Sequence, residues 1–221
     1  MFRRLPLNWR RNLRALRLEH LVRTGRFDSD EPEFDRLASW LGPGDVALDV
    51  GANFGSYTMK MSEIVGESGR VFAFEPVPQT FVMLIRSLSV RGCKNVTAIN
   101  AACSNENGIV GMTVPDDSLT GEDLYQASIS GVQRRSVNVF RARIDALPLP
   151  TERLRLVKVD AEGHDAEVIE GMIATLRRAM PVLITEHPKD HTCGSLQAIG
   201  YRLVRLPGSP NGVFLPPGIA Q

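Results

Sequence analysis

From residue 44 onward, short apolar runs alternate with polar, glycine-bearing stretches. Residues 46–50, 70–74 and 96–100 read as buried parallel strands, rich in apolar residues because both faces are covered. Residues 56–65 and 78–91 lie between them and carry helical spacing. The pattern resumes with a strand at 136–142, another at 154–160, a helix from about 164 to 179, and a strand at 182–186 after Pro181. A helix at 194–199 follows, then a strand at 201–206, a turn at 208–212 and a last strand at 213–215. The repeated strand–helix units predict an α/β fold, a doubly wound and mostly parallel seven-stranded sheet with helices on both faces. The tight final turn predicts that the last two strands pair antiparallel. Residues 101–135 read as irregular, with a turn at 105–108 and a polar run over 115–131 containing Gly121 and Gly131.

Ahead of this pattern, residues 8–25 read as an amphipathic helix, with Trp9, Leu13, Leu16 and Leu21 on one side and arginines elsewhere. Pro32 and Glu33 open a second helix through Trp40, closed by Leu41-Gly42-Pro43-Gly44. The chain therefore divides into a basic helical extension, 1–43, and a ligand-binding domain, 44–221. Charge sharpens that division. The net charge is +1, yet eight arginines and one acid, Glu19, precede Phe27, leaving the remainder net acidic. Packing of the basic helix on the sheet, or over the active site, ranks first. Peripheral contact with an anionic membrane surface ranks second. Nucleic acid is not expected, because the remainder is acidic and interleaved aromatics are scarce. Cys93, Cys103 and Cys193 are dispersed and odd in number, which predicts a reducing, cytoplasmic setting. No apolar stretch reaches the roughly 20 residues that span a bilayer.

The chemistry lies where strands end. In such sheets ligands bind at the carboxyl ends of strands, where the strand order reverses. Four predicted strands end there in acids: Asp49, Glu75, Asp160 and Glu186. The turn after the first strand, Gly51-Ala52-Asn53-Phe54-Gly55, has Asn53 where a dinucleotide fingerprint places its second glycine. That glycine lets backbone approach a pyrophosphate, so an NAD(P)-dependent oxidoreductase is the weaker alternative. No Gly-Lys-Ser/Thr of a phosphate loop occurs. A nucleoside without phosphates fits better, such as S-adenosyl-L-methionine. A carboxylate more than 20 residues past the glycine turn, Glu75, suits a ribose. No metal site is expected: His187 and His191 have helical-ligand spacing, but Pro188 argues against a helix there.

The sequence resembles the FkbM-type family of S-adenosylmethionine-dependent methyltransferases. The resemblance rests on Leu48-Asp49-Val50-Gly51-Ala52-Asn53-Phe54-Gly55, Gly69-Arg70-Val71-Phe72-Ala73-Phe74-Glu75-Pro76, Asn95-Val96 with Ala101-Ala102-Cys103-Ser104, and Lys158-Val159-Asp160-Ala161-Glu162-Gly163. Gly171 and the Pro181-to-Glu186 strand complete it, so it runs from about residue 44 to 187. It implies a seven-stranded methyltransferase fold and methylation of a hydroxyl, on a small molecule or a glycan. By resemblance, Asp49, Gly51, Asn53 and Gly55 surround the methionine part, Glu75 holds the ribose, and Asn100 to Ser104, with Ala102 among them, lies at the adenine. Asp160 is expected to face the methyl group and to orient or deprotonate the acceptor. Glu162 and His164 are the further catalytic candidates. The family usually has Glu where Asp165 stands, which shortens that side chain's reach here. A non-catalytic nucleoside-binding protein is the alternative from another class.

Overall fold

The computed structural model describes residues 7–115 and 134–219. Arg3, Arg4, Gly121, Gly131 and most of the polar run at 115–131 lie outside the described residues. The helices are α1 (Leu7–Arg23), α2 (Pro32–Trp40), α3 (Ser56–Val65), α4 (Pro78–Arg91), α5 (Asp165–Glu170), α6 (Ile173–Ala179) and α7 (Asp190–Ala198). The strands are β1 (Val46–Val50), β2 (Arg70–Phe74), β3 (Val96–Ile99), β4 (Ala102–Cys103), β5 (Gly108–Pro115), β6 (Arg134–Ala142), β7 (Leu154–Val159), β8 (Val182–Glu186), β9 (Arg202–Val204) and β10 (Asn211–Leu215).

The main sheet has seven strands in the order β3-β2-β1-β7-β8-β10-β9. All neighbours are parallel except β10, which is antiparallel to both β8 and β9. The chain winds outward from β1 through β2 to β3, then returns to lay β7 on the other side of β1. That reversal opens a crevice beyond the ends of β1 and β7. Alternate residues of each strand feed opposite faces. Leu48 and Val50 join Val168 of α5, Leu176 of α6 and Leu196 of α7, whereas Ala47 joins Phe34, Leu37, Met61 and Val65 of α2 and α3. The expected double winding and the antiparallel last pair are both present.

Helix ends are set by identifiable groups. Pro78 opens α4, and Gly92 closes it at φ 76. At the end of α3, Gly66 turns at φ 64, and Asn95 Nδ2 donates to the carbonyls of Ser62 and Gly66 at 2.9 and 2.7 Å. α1 lies on α4 through Leu18 and Val22, in one cluster with Ala52, Phe54, Leu84 and Leu88. Its buried face is therefore not the one expected, since Leu13 and Leu16 are exposed.

Two other expectations are corrected. The stretch 101–135 is not irregular throughout: β5 pairs antiparallel with β6, and β4 adds a short parallel edge, making a separate three-stranded sheet. The helix expected from 164 to 179 is two helices that meet at Gly171 and Met172. A Cβ on Gly171 would lie 1.9 Å from the Ser104 carbonyl oxygen, so backbone crosses backbone there. The N-terminus of α6 is then capped from afar, as Asp145 accepts from the amides of Ala174 and Thr175 at 3.0 and 2.8 Å.

Candidate active site

Two loops meet at the point where the strand order reverses. Gly51 follows β1 at φ 79, and a Cβ there would sit 1.8 Å from the carbonyl oxygen of Asp160, which follows β7. Only glycine admits that contact. The amides of Gly51 and Ala52 both donate to the Phe74 carbonyl at 2.9 Å, tying the turn to the end of β2. Asn53 takes φ 50, and Gly55 takes φ 94 as it opens α3.

Glu75 stands at the end of β2, 5% exposed. Its Oε2 accepts from the Asn53 amide at 3.0 Å and its Oε1 from the Val77 amide at 2.8 Å. A carboxylate has about four acceptor positions, so each oxygen keeps one for a further donor such as a ribose hydroxyl. Burial outweighs these two hydrogen bonds and raises its carboxyl to about 7. Asn100 Nδ2 donates to the Glu75 carbonyl at 2.8 Å, which joins the segment leading to Ala102 to this corner. Ala102 lies on β4 opposite Arg141, half-buried.

Asp49 is fully buried, and its Oδ2 accepts from Thr58 Oγ1 at 2.5 Å. Its Oδ1 has no partner among the described residues, and neither has Asn53 Oδ1. Burial pushes the Asp49 carboxyl up, against the opposing pull of Lys158 and Thr58. Lys158 sits beside Asp49 in the β1–β7 register and is itself only 5% exposed. Its Nζ donates to Asp160 Oδ2 at 2.9 Å and lies 4.7 Å from the centroid of the Tyr57 ring. Burial alone would lower the Lys158 pKa, but Asp160 and Asp49 together carry it above the ordinary value. One buried ammonium thus stands between a carboxylate on the glycine-turn side and another at the mouth of β7. Burial likewise raises the Tyr57 phenol, helped by Glu31, Glu33 and Asp49.

A further group of ionisable side chains lies beyond Asp160. Glu186 ends β8, next in register beside Asp160, and Glu162 follows at φ 49 on an exposed turn. Burial raises both carboxyls, and Asp160 raises them further. His164 is brought elsewhere: its Nε2 lies 3.0 Å from Ser104 Oγ and its Nδ1 3.5 Å from Glu167. Asp165 accepts from the Ala161 amide at 3.3 Å and from Thr185 Oγ1 at 3.0 Å, which fixes the 160–165 turn to β8. His187 takes φ 37 ahead of α7 and does not share that helix with His191. Among the described residues no group of His, Cys, Asp or Glu is arranged to hold a metal ion.

The sequence places Lys158 inside the Lys158-to-Gly163 motif without assigning it a role, and does not single out Thr58 or Tyr57. A charged residue inside an apolar strand was the one available signal for this group. Nor did it foresee Glu33, which is 0% exposed and accepts from Ser209 and Asn211 across the end of β10.

A doubly wound seven-stranded sheet, with acids at its strand ends and a positive-φ glycine turn after β1, is an α/β fold of the Rossmann-like methyltransferase type. Residues 49–203 match the Methyltransferase FkbM domain, and the chain belongs to that family. It is 30% identical over 152 residues to the hexuronic acid methyltransferase AglP of Haloferax volcanii, a match covering 67% of this chain and 60% of that protein. It is 24% identical over 159 residues to a probable cobalt-precorrin-6B C(15)-methyltransferase of Sulfurisphaera tokodaii, covering 71% of this chain and 83% of that one. The crystal structure of Methyltransferase FkbM from Methylobacillus flagellatus superposes with a TM-score of 0.54 at 14% identity, over 91% of this chain and 58% of that one. At that identity the likeness speaks for the fold.

Proposed function

We propose that the protein is an S-adenosyl-L-methionine-dependent methyltransferase that methylates a hydroxyl of a small molecule or sugar. The observation that carries the cofactor reading is a pair of buried oxygens, Asp49 Oδ1 and Asn53 Oδ1, that lack a partner among the described residues and lie beside a turn that only glycine permits. Buried polar atoms ordinarily have partners, and an amino-acid tail carrying an ammonium supplies donors for both. Glu75 adds the acceptor positions for a ribose. The residues present therefore fit the cofactor. A pyrophosphate fits poorly, since Asn53 stands where a second glycine would be and its amide is taken by Glu75. The hexuronic acid named for the Haloferax relative supports a sugar acceptor.

The bound cofactor supplies a methyl group already activated by its sulfonium, so the chain's task is alignment and removal of one proton. Lys158 holds Asp160 Oδ2, which leaves Asp160 Oδ1 to accept the hydrogen of the acceptor hydroxyl. Glu162 and Glu186, both with raised carboxyl pKa values, stand ready to take a proton onward. His164 is engaged with Ser104 and Glu167 and ranks behind Asp160 and Glu162 as a base.

Calorimetric titration with S-adenosylmethionine, NAD and NADP tests the cofactor. Micromolar binding of S-adenosylmethionine alone is expected, and binding of a dinucleotide alone refutes the reading. Turnover is then followed as S-adenosylhomocysteine release on glycosides and other alcohols. Asp160→Asn should lower kcat about a hundredfold or more while leaving cofactor affinity within a few fold. An Asp160→Asn enzyme with normal turnover removes that residue from the mechanism.

A further inference from the structure

α1 has two apolar faces, and the protein uses one. Leu18 and Val22, 8% and 2% exposed, pack inward against Ala52, Phe54, Leu84 and Leu88. At 3.6 residues per turn, positions 13, 16 and 20 fall on the opposite side. Leu13 and Leu16 are 38% and 61% exposed there, flanked by exposed Arg17, His20 and Arg23. The packing partner α4 adds Val82 and Ile85, 54% and 45% exposed, with Arg86 exposed beside them. Together α1 and α4 contain seven arginines and a single acid, Glu19. Scattered exposed leucines need no explanation, but four large apolar side chains on two packed helices with this charge do.

We propose that the outer face of α1, supported by the exposed apolar side chains of α4, docks on an anionic lipid bilayer. Leu13 and Leu16 enter the boundary between headgroups and acyl chains, while Arg17, Arg23 and Arg86 meet lipid phosphates. The charge selects an anionic surface, and the leucines select lipid over nucleic acid, which would satisfy the arginines and leave the apolar side chains in water. The inner face of α1 shares one hydrophobic cluster with Ala52 and Phe54, so docking holds the turn after β1 on the membrane-facing side of the protein.

Co-sedimentation of the full chain with phosphatidylcholine vesicles, and with equal mixtures of phosphatidylcholine and phosphatidylglycerol, tests this directly. Binding is expected to the mixed vesicles and to weaken as salt is raised. A Leu13→Gln/Leu16→Gln variant should lose at least tenfold in partitioning with an unchanged melting temperature, because both side chains are exposed. Arg17→Gln/Arg23→Gln should also lose more than tenfold, at about fivefold per arginine. Equal binding to both vesicle types, or none to the mixed ones, overturns the proposal. Binding that survives loss of the leucines and extends to a random oligonucleotide marks a general polyanion surface and overturns it equally. Leucine-dependent self-association without vesicle binding assigns the face to a second copy and does the same.

Discussion

Replacing Lys158 with methionine keeps most of the side chain's volume and removes the one ammonium shared by Asp49 and Asp160. The Lys158 and Asp160 side chains are 6% and 36% exposed and meet at 2.9 Å. Removing one partner of a buried pair costs about 3–5 kcal/mol. Water reaches Asp160, which brings the expected loss down to about 2–3 kcal/mol. For a domain of this size that is a fall in melting temperature of about 4–12 °C. The loss has a definite pH signature. Burial already holds the Asp49 carboxyl above its ordinary 3.8, and Lys158 is the main group pulling it down. Without the lysine it rises further. A carboxyl with a raised folded pKa costs stability as pH climbs from the unfolded value to the folded one. The deficit of the variant relative to wild type should therefore grow toward neutral pH and shrink on acidification. Circular-dichroism melts of both proteins between mildly acidic and neutral pH measure it. Asp49→Asn in the Lys158→Met background should recover part of the loss, since it removes the stranded charge and keeps an acceptor for Thr58 Oγ1. A variant that melts like wild type, or with a deficit independent of pH, would show that Lys158 is not the counter-charge of this site.

Gly51→Ala should destabilise the fold by about 3 kcal/mol or more, through a left-handed backbone and a collision with the Asp160 carbonyl, read in urea unfolding. Full stability would refute that geometry. Glu75→Ala should weaken S-adenosylmethionine about 10- to 100-fold in calorimetry, the cost of losing charge-assisted hydrogen bonds, and unchanged affinity removes the ribose role. Glu75 rises from 4.5 to about 7 on folding, so wild-type stability should fall as pH rises through that window. Glu75→Gln should flatten this slope in pH-dependent melts.

The elements that were legible in the sequence are those with a local signal. β1, β2 and β8 are short, mostly apolar runs, and Pro78 with Gly92, or Gly55 with Gly66, marks helix ends. The four strand-end acids could be placed together because parallel strands deliver their carboxyl ends to one edge. β5 was not legible. Its glycines at 108 and 111 and Pro115 weaken any local strand signal, and it exists through its ladder with β6, far along the chain. The break at Gly171 was equally hidden. A helix pattern runs through it, and only the crossing with Ser104 and the cap from Asp145 divide it.

Around β1, β2 and β7, the sequence by itself determined which residue types stand at the strand ends and turns: Asp49, Gly51, Glu75, Asp160 and Glu162. Tertiary structure decided what each is bonded to. Asp160, just past the end of β7, is paired with Lys158 because that lysine is buried over Tyr57 of α3 two residues earlier, and His164 is drawn to Ser104 because Gly171 lets two backbones cross. The same division holds at α1. Composition established a basic helix with leucines, while packing on α4 selected Leu18 and Val22 for the core and left Leu13 and Leu16 outside. Local propensity is written along the chain, but partners are chosen by burial, and burial is settled only when all elements are packed together.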